Sequence, residues 1–228
     1  MSNKFLSYDD LKLTVWQCTQ NPNRITSLAC AITQKKETSS DKLSAKLIRF
    51  LFEADHTSVF EHSYITFLIE NVSRSFLAQI TRHRMGSFTS ASQHYQKYDS
   101  YPNILHPAMV AMEAVHHLCN KSDSTYEYLI STGIPKWEAR QILVGAKAVN
   151  ILWTVNARSL INFFNKRLCK RNVPEMINFA ERLQEECIEW WPELFNLVGP
   201  DCVTLGGCTQ GHMRAEVCKN AEIPTFQR

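Results

Sequence analysis

The chain has 228 residues, 44% of them hydrophobic, and a formal net charge of +3, which is enough for a sizeable core in one or two domains. No stretch approaches the ~20 uncharged apolar residues of a membrane span, and Met1–Phe5 lacks a signal-peptide pattern, so the expectation is a cytoplasmic protein without a membrane partner. So small a positive excess is not that of a dedicated nucleic-acid binder, and the eight scattered cysteines are expected to be reduced thiols.

In chain order, Leu11 to Gln17 alternates enough to form a strand, and Asn21-Pro22-Asn23 opens a helix running to about Thr33, with Pro22 near its first turn. Ser39-Ser40-Asp41 caps the next helix, whose Leu43, Leu47, Phe50 and Leu51 recur at helical spacing. Ser63 to Asn71 reads as a strand with Ile65, Phe67 and Ile69 on one face and Tyr64, Thr66 and Glu70 on the other. Ser75 to Ile80 is an apolar helical turn that leads into a basic loop. Tyr101-Pro102 and His106-Pro107 mark an irregular crossing. Two helices follow, at about 108–132 and 135–145, separated by Gly133-Ile134-Pro135. Val149 to Val155 is a second strand, and the helix after it buries Leu160, Phe163 and Phe164. The last long helix carries Met176, Ala180, Leu183, Cys187, Trp190 and Leu194 on one stripe. Repeats and Gly/Ser linkers are absent, and one α+β domain is the economical reading. The segment from Gly199 is an ordered extension or a lid.

The residues with chemistry fall in three places. Arg82-His83-Arg84 is followed by Gly86 and the hydroxyls of Ser87, Thr89, Ser90 and Ser92. Guanidinium forks, an imidazole and short donors suit a phosphate or pyrophosphate, whether of nucleic acid, a nucleotide cofactor or a sugar phosphate. His56 to His62 places two histidines and Glu61 before a strand. The histidines are six apart rather than four, so polar-ligand contact is expected rather than zinc. Asn156, Arg158 and Asn162 lie around a helix start, where free N–H groups favour anions, with Arg167 farther along that helix and Arg140 before the strand. The tail Cys202-x5-Cys208-x3-His212-x5-Cys218 has metal-ligating residue types but lacks paired C-x2-C knuckles, so no metal is expected. Cys169 stands beside Lys170 and Arg171, which can lower a thiol pKa, but no base is placed by spacing to make it a nucleophile.

These clues coincide in one family. The chain resembles the flavin-dependent thymidylate synthases, whose signature is R-H-R-x-x-S, four residues, S-x-R-Y. Arg82-His83-Arg84, Ser87, Ser92 and Tyr95 fit it. So do Gln79, His56-x4-Glu61-His62, Glu138-Ala139-Arg140, the Thr154–Ser159 block, Gly199-Pro200-x-Cys202 and Cys208-x2-Gly211-x-Met213. The resemblance runs from about residue 11 to 218.

It implies an α+β fold with a mixed, mainly antiparallel sheet wrapped by helices. A single domain (1–198, with a Cys/Gly-containing extension at 199–228) would assemble as a homotetramer with sites shared between chains. It implies FAD held by His56, Ser58, Glu61, Arg82, His83, Arg84, Ser90, Asn156, Arg158 and Asn162. Gln79, Arg82, Ser90, Ser92, Gln93, His94, Arg140 and Arg167 would border the nucleotide, Arg167 being the catalytic group on the uracil ring. The implied reaction converts dUMP to dTMP with 5,10-methylenetetrahydrofolate and NADPH, without a cysteine nucleophile.

The chain also departs from the pattern. His94 replaces an arginine fork with an imidazole, and Ser90 replaces an acidic or amide residue. Asn172-Val173-Pro174 stands for Ala-Gln-Trp, and Ala31 for an early arginine. These departures keep open C5 hydroxymethylation or dCMP as substrate. In a different class stands a non-catalytic nucleotide or nucleic-acid binder that uses the basic loop alone.

Overall fold

The structure, a computed structural model, describes residues 4–34, 44–97 and 101–218. In chain order its elements are β1 (Phe5–Ser7), β2 (Lys12–Cys18), α1 (Pro22–Thr33), α2 (Ala45–Glu53), β3 (Tyr64–Ser73), α3 (Arg74–Ile80), β4 (Gly86–Ser90), β5 (Asn103–Leu105), α4 (Pro107–Val110), α5 (Glu113–Ser131), α6 (Lys136–Ala139), β6 (Ala148–Asn156), α7 (Ala157–Arg167), α8 (Pro174–Trp190), α9 (Pro192–Phe195) and α10 (Asp201–Thr204). Short 3₁₀ turns lie between them, notably Thr57–His62 and Arg140–Ile142. The main sheet has the order β2-β3-β6-β4, and β1 pairs in parallel with β5. Its strands run antiparallel: Thr66 meets Thr154 while Asn71 meets Asn150, and Phe88 meets Trp153 while Ala91 meets Asn150. No helix among the described residues is long and apolar enough to cross a membrane. The chain forms two compact units, residues 1–14 with 67–153, and residues 15–66 with 154–228.

In the first unit, Phe67, Ile69, Val72, Phe76, Ile80, Val149, Ile151 and Trp153 form the apolar centre. Lys147, fully buried, donates to both oxygens of Asp123 on α5 at 2.7 and 2.9 Å. No spacing rule links the two. Gly145 is required by a close approach: a Cβ there would stand 2.8 Å from Ser75 Oγ, where Ser75 N–H bonds the Gly145 carbonyl.

Three expectations are corrected in this unit. The 108–132 helix is two helices, because Met112 is extended (φ −85°, ψ 111°) and His116 Nε2 donates to the Val110 carbonyl at 2.6 Å. The 135–145 helix stops at Ala139, tightens to 3₁₀ and ends at an extended Leu143, with Ser122 Oγ donating to the Ile142 carbonyl. Residues 86–90, read as loop, form edge strand β4, and Phe88 stacks on Trp153 (5.5 Å, 7°). β1 and β5 had no predicted counterparts.

In the second unit, α7 and α8 pack on each other and α9 packs on α2. Their contact is an aromatic series. Phe163 meets Phe164 and Phe179, Phe164 meets Phe195, and Phe60 meets Trp191, at 5.5–6.0 Å in edge-to-face geometry. Each such ring, fully buried, contributes on the order of 1.5–3 kcal/mol of hydrophobic stabilisation. The last helix predicted through Leu194 instead breaks at Trp191 (φ −146°, ψ 76°), because a residue before proline is driven out of the helical region and Pro192 follows. The proposed cap Ser39-Ser40-Asp41, with Leu43, lies outside the described residues. The described cap of α2 is Ser44, whose side chain accepts from Leu47 N–H at 3.2 Å.

Candidate active site

In the first unit, Ser73 caps α3 by accepting from Phe76 N–H at 2.9 Å. Phe76 and Ile80 bury one face of the helix. The chain then winds off its C-terminal end, with Arg82 N–H on the Gln79 carbonyl (3.3 Å) and His83 N–H on that of Ile80 (3.0 Å). A helix C-terminus attracts cations, so this end holds three basic side chains in a row at little cost. Arg82 and Arg84 are exposed, and among the described residues neither forms an ion pair. β4 then carries Ser90 to a turn in which Ser92 Oγ accepts from His94 N–H at 3.2 Å. The His94 ring stacks on Trp137 (5.3 Å, 24°) and meets Tyr95 edge-on (4.7 Å). Lys136 Nζ donates to the Tyr95 carbonyl. Ser92, Gln93 and His94 are thereby brought to the segment that ends in Arg140, which the sequence leaves more than forty residues away.

In the second unit, α2 ends with Asp55 in the left-handed region (φ 56°). His56 N–H bonds the Leu51 carbonyl and Asp55 N–H that of Phe52, a Schellman closure that places His56. Thr57, Val59 and Phe60 of the following 3₁₀ turn are buried, which leaves His56, Ser58 and Glu61 exposed on its other side. Ala157 N–H bonds the Ser63 carbonyl at 2.8 Å and ties the start of α7 to this turn. Asn156 caps α7, its Oδ1 accepting from Ser159 N–H at 2.8 Å. The amide oxygen thereby takes one of the helix-start donors. Arg158 donates to Glu61, 97 residues earlier in sequence, in a half-exposed ion pair. Asn162 lies one turn on and is exposed.

Arg167 does not share that face. Nine residues are two and a half turns, so it projects from the opposite side of α7, about 13 Å further along. Its Nη1 donates to Asn172 Oδ1 at 3.1 Å. Asn172 Nδ2 in turn donates to the carbonyls of Lys166, Arg167 and Cys169 at 2.8, 3.3 and 2.9 Å. Asn172 thus closes the C-terminal end of α7 and holds the guanidinium in the same act. Sequence reading noted this residue only as part of a departure from the family. The signal was present, because an asparagine five residues past a helical arginine is a ready C-terminal cap.

Four of the eight thiols are held away from reactivity by burial. Burial pushes the thiols of Cys30, Cys119 and Cys202 up and that of Cys187 well up, away from the thiolate that a nucleophile requires.

The solved UMP/dUMP methylase PolB from Streptomyces cacaoi, bound with 5-Br dUMP, superposes with a TM-score of 0.75 at 19% identity, covering 85% of this chain and 96% of its own. The family profile described as thymidylate synthase complementing protein (Thy1) matches residues 10–193. The flavin-dependent thymidylate synthase of Clostridium tetani is 32% identical over 89% of this chain and 92% of its own length. That of Geobacter sulfurreducens is 31% identical over 96% and 98%. The chain therefore belongs to the flavin-dependent thymidylate synthase family.

Proposed function

We propose that the protein makes dTMP from dUMP, methylenetetrahydrofolate, NADPH and a proton, releasing tetrahydrofolate and NADP⁺, as a homotetramer whose sites draw on several chains. The observation that carries this reading is the pair of exposed guanidiniums, Arg82 and Arg84, standing without an ion pair among the described residues on the family's signature segment. Such donors suit the pyrophosphate of a flavin dinucleotide and the phosphate of a nucleotide.

The donor chemistry fits FAD. His83, Arg84, Ser58 and the Glu61–Arg158 pair would hold it, with Asn162 beside that pair. FAD would supply the reducing equivalents that bring the transferred carbon to a methyl group. Arg167, held by Asn172, would face the pyrimidine edge and stabilise negative charge there as C5 becomes nucleophilic. Ser92 and Arg140 would orient the nucleotide. The raised thiols support a route without an enzyme cysteine. One observation favours a second reading, hydroxymethylation or dCMP as substrate: His94, in the position of the signature's arginine by sequence, stacks on Trp137.

Flavin-loaded protein given dUMP or dCMP with the folate and NADPH, followed by mass analysis, tests both. Thymidylate from dUMP supports the proposal. A product heavier by one oxygen, or turnover of dCMP alone, replaces it with the second reading. A colourless protein without turnover that binds RNA with steep salt dependence defeats both.

A further inference from the structure

Beyond the end of α7, within the second unit, lies a cavity of about 470 Å³, inside the range of roughly 300–1,000 Å³ typical of sites for small organic ligands. Leu168, Pro200, Val203 and Ala215 give it apolar wall, and Lys166, Lys170, Arg171 and Arg214 line the same space. Among the described residues the one carboxylate in that lining is Asp201, already held by Lys166 at 2.6 Å. Lys170 is paired with Glu181. Arg171 differs. It donates to the Gln210 amide oxygen and meets Met213 Sδ at 3.9 Å, both neutral, and among the described residues it forms no ion pair. A guanidinium in a wall poor in carboxylates favours an anion, and apolar wall beside it favours a ring.

We propose that this cavity takes the tail of the folate co-substrate, with its benzoyl ring against Leu168 and Val203 and its glutamate carboxylates on Arg171. The inference rests on the reaction proposed above and adds the place where the one-carbon donor is held. Position selects the folate over NADPH, the other anionic co-substrate. Asn172 lines the cavity and also accepts from Arg167 Nη1 at 3.1 Å, so the pocket begins where the arginine assigned to the pyrimidine is held. The carbon donor has to meet the pyrimidine, whereas NADPH has to meet the flavin. The Glu61–Arg158 pair assigned to the flavin is on the opposite side of α7. Asn165, in the same wall, has a buried Oδ1 that accepts no hydrogen bond. The amide N–H that joins benzoyl to glutamate is a donor of the kind it lacks.

Thiols of the wall report occupancy. Cys169 and Cys218 line the cavity and are partly exposed, whereas Cys18 ends β2 and is not part of the lining. The full flavin-loaded chain with dUMP, kept anaerobic, is alkylated with iodoacetamide in the presence of tetrahydrofolate, of 6-methyltetrahydropterin (which has no benzoylglutamate) or of NADPH. Mass spectrometry of the peptides follows each thiol. Tetrahydrofolate should slow labelling of Cys169 and Cys218 severalfold and leave Cys18 unchanged, while the pterin and NADPH should protect neither. Arg171→Ala should weaken tetrahydrofolate binding about 10–100-fold, the range expected for a lost charge-assisted hydrogen bond. Arg171→Lys should weaken it less, and Arg49→Ala on α2, outside the cavity, should not.

The proposal is overturned if tetrahydrofolate leaves Cys169 and Cys218 labelled as in its absence, if the pterin or NADPH protects them equally, or if folded Arg171→Ala binds like the parent. The footprint on the unsubstituted chain decides even where a variant does not fold. Thymidylate formed without this protection refutes the site and leaves the reaction. Protection without thymidylate supports the site and refutes the reaction.

Discussion

Around α7 the polar groups of the site are already engaged: Glu61 faces Arg158, Asn172 holds Arg167, and Asn156 closes the helix start. Between α3 and β4 two arginines contrast with that. Arg82 and Arg84 extend into solvent, and His94 is placed by a ring contact rather than by a charge. The first region has its geometry before any ligand arrives, which is what electrostatic stabilisation of a reaction requires. The second leaves two guanidiniums exposed, and such donors suit an anion. Charge count alone would have judged the two alike.

The largest expected effect concerns the buried ion pair of the first unit. Lys147→Met removes the hydrogen-bonded partner of buried Asp123, leaving only Lys4 at 4.0 Å, and should cost about 3–5 kcal/mol in unfolding free energy. Lys147→Met with Asp123→Leu should recover most of that loss, and denaturant midpoints read both. If the single variant unfolds like the parent, the ion pair does not stabilise the fold. Next, Arg167→Ala should lower kcat about 10²–10³-fold while flavin content is unchanged. Loss of flavin with full turnover would assign Arg167 to the cofactor instead.

Glu61→Gln sharpens the contrast. The pair is half exposed, so stability should change by no more than about 1 kcal/mol, while flavin retention, measured by absorbance after gel filtration, should fall. A large drop in melting temperature with flavin intact would make the pair structural. The smallest effect concerns Glu186, whose carboxyl is raised by burial and then by Glu189 and Glu185. Folding therefore favours its protonated form. That contribution is full below the unfolded value of ~4.3 and is lost as pH rises through the raised folded value. Glu186→Gln should thus raise the melting temperature slightly at neutral pH and leave it unchanged at about pH 3. An equal shift at both would remove ionisation as the cause.

Much of the scaffold was legible because periodicity reports burial. β3 and β6 lie within two residues of their alternating runs, and α1 and α7 begin where Pro22 and Asn156 predict. What escaped was structure set by partners distant in sequence. Gly86–Ser90 has a loop composition, and its Phe88 finds Trp153 only in the fold. The helix breaks at Met112 and Trp191 depend on one histidine contact and one following proline. Family resemblance named Glu61 and Arg158 as site residues but did not reveal that they pair. The clamp on Arg167 comes from Asn172, in a segment noted only for departing from the family.

The stack of His94 on Trp137 has an optical consequence. Trp137 is 43% exposed, whereas Trp153 and Trp191 are sealed in the interior. Indole emission responds to a ring lying against it, so a ligand that lifts the imidazole alters the light from one of five tryptophans. If that segment binds a ligand, the emission of Trp137 would report it.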